Sequence, residues 1–222
     1  MGALVSSRLR NLAQSGPAGV TPPAAEGPEE RCELCGLPIA ERHRHLVDLE
    51  TGQLMCACQA CSTLFDGAAA GGGHFKLVPD RRLQLSDLEL PDAVWERLRI
   101  PVEMAYFFRS SQEQRMKAFY PSPMGATESL LGLEAWEELE RRNPVLRTLS
   151  DDVEALLVNR ARGARRSWIV PIEDCYALVA VIRTRWRGFT GGAEVWEALD
   201  RFVGELDSRS KRATRKEPTW QE

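Results

Sequence analysis

The chain has 222 residues, 43% of them hydrophobic and 27% charged, with 29 basic and 32 acidic side chains and a formal net charge of -3. That length suffices for one main core plus a small accessory module, and the charge balance supplies no general attraction for nucleic acid or anionic lipid. No apolar run reaches bilayer-spanning length and the first residues lack the apolar core of a secretory signal, so the expected location is the cytoplasm, where thiols stay reduced.

Residues 1–30 read as a flexible N-terminal segment. A short helix over 3–14 would align Val5, Leu9 and Leu12, and Gly2 and Ser6 fit a loose acylation pattern. Residues 16–30, rich in Pro, Gly and Ala, read as a linker.

A metal module is expected over 31–66. Five of the six cysteines lie here: Cys32 and Cys35, then Cys56, Cys58 and Cys61. Cys32-x-x-Cys35-Gly36 reads as a knuckle, because glycine takes the positive φ that turns backbone amides toward sulfur. Residues 46–49 and 53–56 read as a hairpin around a turn at 50–52, and residues 58–65 as a helix. Knuckle, hairpin and helix in that order describe a treble-clef zinc module. The spacing selects Cys32, Cys35, Cys58 and Cys61 as ligands, the second pair at a helix start whose dipole favours thiolate. Cys56 is then left over, either as a small buried hydrophobe or as an alternate ligand or reactive thiol. In this register it faces Leu46, while His45 faces Ala57 and stands as an alternate ligand, with His43 nearby. Iron in place of zinc is the redox alternative. A nuclease built on a treble clef lacks its terminal ligands here, and the helix after Cys58 carries no Arg or Lys for nucleic acid.

Residues 67–85 read as a linker, with a short strand over 74–78, and a larger domain is expected over 86–207. Its elements in order are a helix over 87–98, strands over 100–109 and 115–120, a helix over 128–142, strands over 153–159 and 167–172, and helices over 172–187 and 193–206. Paired hairpins predict a four-stranded antiparallel sheet with packed helices, an α+β architecture. Residues 208–222 read as a disordered tail.

Three other features carry candidate chemistry. Residues 118–129 read as a rigid strand-to-helix connection, and with His43, His45 and His74 the only histidines, Ser122, Thr127 and Ser129 have no base in their segment. Arg187, Gly191 and Gly192 form a candidate anion site, since arginine and helix-start amides both attract anions. Residues 160–166 form an arginine-rich hairpin tip, a docking patch for an acidic partner.

The ordered set Cys32, Cys35, His43, His45, Asp48, Cys56, Cys58, Cys61 and Phe65, with the stretches 118–129, 170–176 and 186–192, resembles an uncharacterised bacterial family. Its genes lie beside those of nickel-iron uptake hydrogenases and their maturation factors. The resemblance spans residues 31–206 and implies a setting, with hydrogenase subunits or maturation factors as partners, but no catalytic residue. The expectation is a zinc-stabilised, non-enzymatic accessory protein. The alternative is a redox or electron-transfer protein using a cysteine-ligated iron or iron-sulfur site, or a reactive Cys56.

Overall fold

The computed structural model describes residues 30–66, 72–130, 132–188 and 191–216, apart from the side chain of Leu133. The N-terminal helix, the acylation pattern and all of the first linker but Glu30 lie outside them.

Ten strands form two sheets among the described residues. The smaller has the order β2-β1-β3, from β1 (Arg44–Asp48), β2 (Leu54–Ala57) and β3 (Phe75–Leu77), all antiparallel, with the short helix α1 (Gln59–Phe65) beside it. The larger has the order β10-β4-β9-β8-β5-β6-β7. Its strands are β4 (Leu83–Leu85), β5 (Met104–Ser110), β6 (Arg115–Ser122), β7 (Gly125–Ser129), β8 (Glu154–Asn159), β9 (Arg166–Pro171) and β10 (Lys211–Ala213). All neighbours are antiparallel except β10 and β4, which run parallel.

Successive strand residues point to opposite faces, and here both faces are covered. On one, Met104, Tyr106, Ala155, Leu157, Trp168 and Val170 pack against α4 (Ile172–Arg185) and α5 (Gly192–Arg209). On the other, Ala105, Phe107, Leu156, Val158 and Ile169 pack against α2 (Asp92–Arg97), α3 (Leu133–Arg142) and the 3-10 turn Pro144–Thr148. This burial on both sides explains why β8 and β9 read as unbroken apolar runs. Each fully buried large side chain, such as Phe107 or Trp168, contributes about 1.5–3 kcal/mol of apolar transfer energy.

The four expected strands form the centre of a seven-stranded sheet. Residues 67–85 hold β3 and β4, one in each sheet, and residues 208–216 continue α5 and add β10, so neither stretch is structureless where described. Helix α2 starts only after Pro91, because the residue before a proline is pushed out of helical backbone space. The expected start of a helix at 128 is the end of β7, and α3 begins at Leu133. Residues 118–129 therefore form most of the β6–β7 hairpin, in which the Ser122 hydroxyl donates to the Gly125 carbonyl at 2.9 Å.

Residues from Arg31 onward form one compact unit. Val47 of β1 and Val78 just beyond β3 belong to the same core as α4 and α5, and the Lys76 ammonium donates to the Asp151 carbonyl at 2.7 Å. The small sheet is thus seated on the larger domain. Two buried ion pairs reinforce the contact region. Arg81 grips Glu154 with bonds of 2.7 and 2.6 Å, and Arg82 grips Asp174 with bonds of 2.6 and 3.0 Å.

Candidate metal centre

The first cysteine pair sits on a tight turn. The Gly36 N–H donates to the Cys32 carbonyl at 2.8 Å, the Cys32 N–H to the Leu37 carbonyl at 2.8 Å, and Gly36 has φ 73°. The second pair opens α1: Cys58 is the N-cap residue, and its sulfur accepts from the Cys61 N–H at 3.4 Å. Sulfur here replaces the hydroxyl or carboxylate oxygen that usually fills this position.

One sulfur from each of Cys32, Cys35, Cys58 and Cys61 falls within 4.8 Å of the others, and Cys35 Sγ lies 3.7 Å from Cys58 Sγ. A tetrahedral zinc site with bonds of about 2.3 Å has sulfur–sulfur edges of roughly 3.8 Å, so this donor set fits such an ion. Cys32 and Cys61 are buried with Leu46 and Ala57 in a small core that also draws in Phe65 and Phe75. Cys35 is exposed and Cys58 partly so.

The sulfurs differ in acidity. Burial opposes ionisation of Cys32, but hydrogen bonding from the backbone at Cys58, Cys35 and Leu34 outweighs it and brings the thiol down to about 6. Burial, then the sulfurs of Cys35, Cys58 and Cys32, pushes the Cys61 thiol well up. Four thiolates in this space require a cation among them. Cys175, the sixth cysteine, is fully buried in the main core, and burial holds it protonated.

The hairpin register differs by one residue from the sequence expectation. The turn closes through Asp48, whose N–H donates to the Gln53 carbonyl at 2.9 Å and whose Oδ1 accepts from Glu50 and Thr51 N–H at 2.8 and 3.1 Å. This longer turn pairs Cys56 with His45, Met55 with Leu46 and Ala57 with Arg44. A slip of one residue exchanges the faces. Leu46 and Ala57 face the cysteine core, whereas Val47 faces the main core, so His45 and Cys56 share the face opposite the four-cysteine cluster. His43 falls on that same face, its ring 4.6 Å from that of His45. His43, His45 and Cys56 thereby make a second group whose donor atoms lie within 4.8 Å of one another.

Glu173, in the first turn of α4, completes this second region: its Oε2 lies 2.7 Å from His45 Nδ1 and its Oε1 accepts from Arg82 at 2.9 Å. Burial would raise this carboxyl, but hydrogen bonds from His45 and Arg82 and the Arg82 charge hold it below the usual range. Glu173 was missed in the sequence, although the i, i+2 spacing of His43 and His45 at the entry to β1 already signalled a shared face. His74 pairs with Glu50 at 2.9 Å at the far end of the hairpin.

Of the candidate anion residues, Arg187 follows the end of α4, Gly191 is the N-cap of α5 and Gly192 its first residue. The Arg187 guanidinium donates to the Thr184 and Trp186 carbonyls at 3.2 and 3.0 Å, closing the end of α4, and its N–H donates to the Gly191 carbonyl at 3.1 Å. Gly191 and Gly192 have φ 87° and 76°, and a side chain on Gly191 would collide with Val195 at 2.8 Å. Positive φ accounts for both glycines, and close packing adds to it at Gly191. At the arginine-rich tip, Arg160 and Arg165 pair with Asp92, and Arg166 with Asp207.

Fold and cluster together define a mixed helix-and-sheet protein with antiparallel sheets and a tight four-cysteine group suited to a metal ion. The chain belongs to DUF5947, a family of unknown function, whose model matches residues 31–210. No curated protein and no solved structure matches it. No helix among the described residues is long and apolar enough to cross a membrane.

Proposed function

We propose that this chain is a non-enzymatic accessory protein in which zinc on Cys32, Cys35, Cys58 and Cys61 stabilises a treble-clef-like module, while the larger domain binds a protein partner. The observation that carries the reading is the four-sulfur cluster, built half from a knuckle and half from a helix start and packed on a core too small to stand alone. In such a site the ion is a scaffold, and recognition falls to surfaces elsewhere. Met124 and Leu130, 91% and 85% exposed at the two ends of the edge strand β7, are apolar surface of the kind partners cover. The resemblance to a hydrogenase-linked bacterial family supplies the setting, with hydrogenase subunits or maturation factors as partners in the cytoplasm.

Affinity purification of the tagged chain, with metal content measured on the same sample, tests ion and partner together. Stoichiometric zinc with a co-purifying hydrogenase component is the expected result. Iron with a visible sulfur-to-iron charge-transfer band would instead establish the redox reading.

A further inference from the structure

The face of the small sheet turned away from the four cysteines carries its own donor set. His43, His45 and Cys56 offer two imidazoles and one thiol within 4.8 Å of one another. Both rings are already held as metal-binding histidines are. His43 Nδ1 lies 2.9 Å from the Ala40 carbonyl, and since a carbonyl only accepts, the hydrogen is on Nδ1 and the neutral ring carries its lone pair on Nε2. His45 Nδ1 likewise faces the Glu173 carboxylate at 2.7 Å, which places its lone pair on Nε2. Fixing the outer nitrogen with a carbonyl or carboxylate is the usual means of orienting a histidine ligand and raising its basicity. Arg82 in turn fixes Glu173, at 2.9 Å, while gripping Asp174. An orienting chain thus runs from the large domain to the rim of the small sheet.

We propose that His43, His45 and Cys56 form a second metal site, distinct from the four-cysteine cluster, that takes a first-row divalent transition ion of borderline softness and keeps its fourth position open. Two imidazoles and one thiolate suit such ions, and three protein donors leave a position for water or an external ligand. Both histidines line a cleft of about 910 Å³, bordered also by Arg82, Glu173 and Tyr176, which gives that position access. A weak axial methionine on the same three donors would point to a copper centre. Met55, next to Cys56 in sequence, pairs with Leu46 on the opposite face, so it does not occupy that place.

The test is an anaerobic cobalt(II) titration of the full, reduced, metal-stripped chain, read by bound metal and by absorption. The expected result is one ion at each cluster, the second adding a single-thiolate charge-transfer band weaker than that of the four-cysteine site. Cys56→Ser, and separately His43→Ala with His45→Ala, should lose only the second ion and keep the first ion's spectrum. That retained spectrum shows the module is still folded. Glu173→Gln, a positioning change, should weaken the second ion about ten- to a hundredfold with the same band. Uptake of a single ion by the wild type, unchanged by these variants, would overturn the second site and leave the four-cysteine site intact. Loss of the first ion in Cys56→Ser would also overturn it, by making Cys56 a ligand of the other cluster. Loss of the first ion in Cys58→Ser alone concerns only the four-cysteine site, so the two readings fail separately.

Discussion

Glu173 Oε2 lies 2.7 Å from His45 Nδ1, joining the first turn of α4 to the open end of the β1–β2 hairpin across a separation of 128 residues. The contact ties the small sheet to the large domain through a polar link beside the apolar contacts of Val47 and Val78. Four further relationships lead to measurable outcomes.

Chelation, or Cys58→Ser, removes the charge balance that lets four sulfurs crowd together, and the small core around Leu46 and Phe75 loosens with it. For a chain of this size each 1 kcal/mol lost lowers Tm by about 2–4 °C. A drop of at least 5–10 °C on chelation, with a separate low-temperature phase, is expected by calorimetry. An unchanged melting profile would show that the module stands without an ion.

Glu154 is 1% exposed, and its carboxylate takes two bonds from Arg81 and a third from the Ser150 N–H at 2.9 Å. Arg81→Met leaves that charge buried and unbalanced, at a cost of about 3–5 kcal/mol. Arg81→Met with Glu154→Leu should cost clearly less than Arg81→Met alone. Denaturant unfolding of the double-mutant cycle checks the sign of the coupling.

A Cβ on Gly132 would sit 2.5 Å from the Arg97 carbonyl, where α2 and α3 meet. Because the obstacle is backbone, Gly132→Ala must part the two helices and should cost about 1–3 kcal/mol. Unfolding of Gly204→Ala gives the control, since nothing lies within 4 Å of the added carbon and glycine is a poor helix residue. That variant should be neutral or more stable.

Asp92, hydrogen-bonded first by Arg165 and then by Arg160, is held down to about 2. A carboxyl with a depressed folded pKa adds stability above its unfolded value, near 4, and loses it as pH falls toward 2. Carbon-detected NMR should find its midpoint near 2, and Arg165→Met with Arg160→Met should return it toward 4. The effect on stability is small, because the group faces solvent.

The parts of the fold legible in the sequence were those with dense local signals. β8, β9, α4 and α5 announce themselves through apolar runs and helical spacing, and the pairs Cys32/Cys35 and Cys58/Cys61 through their identical steps. β4 and β10 are three residues each, and they form by extending the sheet edge, β4 on β9 and β10 on β4. β7, Gly-Ala-Thr-Glu-Ser, has no alternating apolar residues and pairs with β6 through its backbone. The register of β1 and β2 turned on whether the strand runs on to Leu49 or ends at Asp48, whose side chain caps the turn, a choice of one residue that decides whether Cys56 meets Leu46 or His45. Glu173 had no local signal toward His45, since the contact is made entirely by the tertiary fold.

The strand order also sets a timetable for folding during synthesis. The hairpin, knuckle and α1 are complete once the ribosome has passed residue 77, so the four sulfurs can converge early on a nascent chain. Strand β4 must wait for both its neighbours, β9 and β10, each made more than eighty residues later. Glu173 reaches His45 only in that second stage. The donors on both faces of one small sheet therefore belong to the early fragment, whereas the carboxylate that orients His45 arrives only with the nearly finished protein.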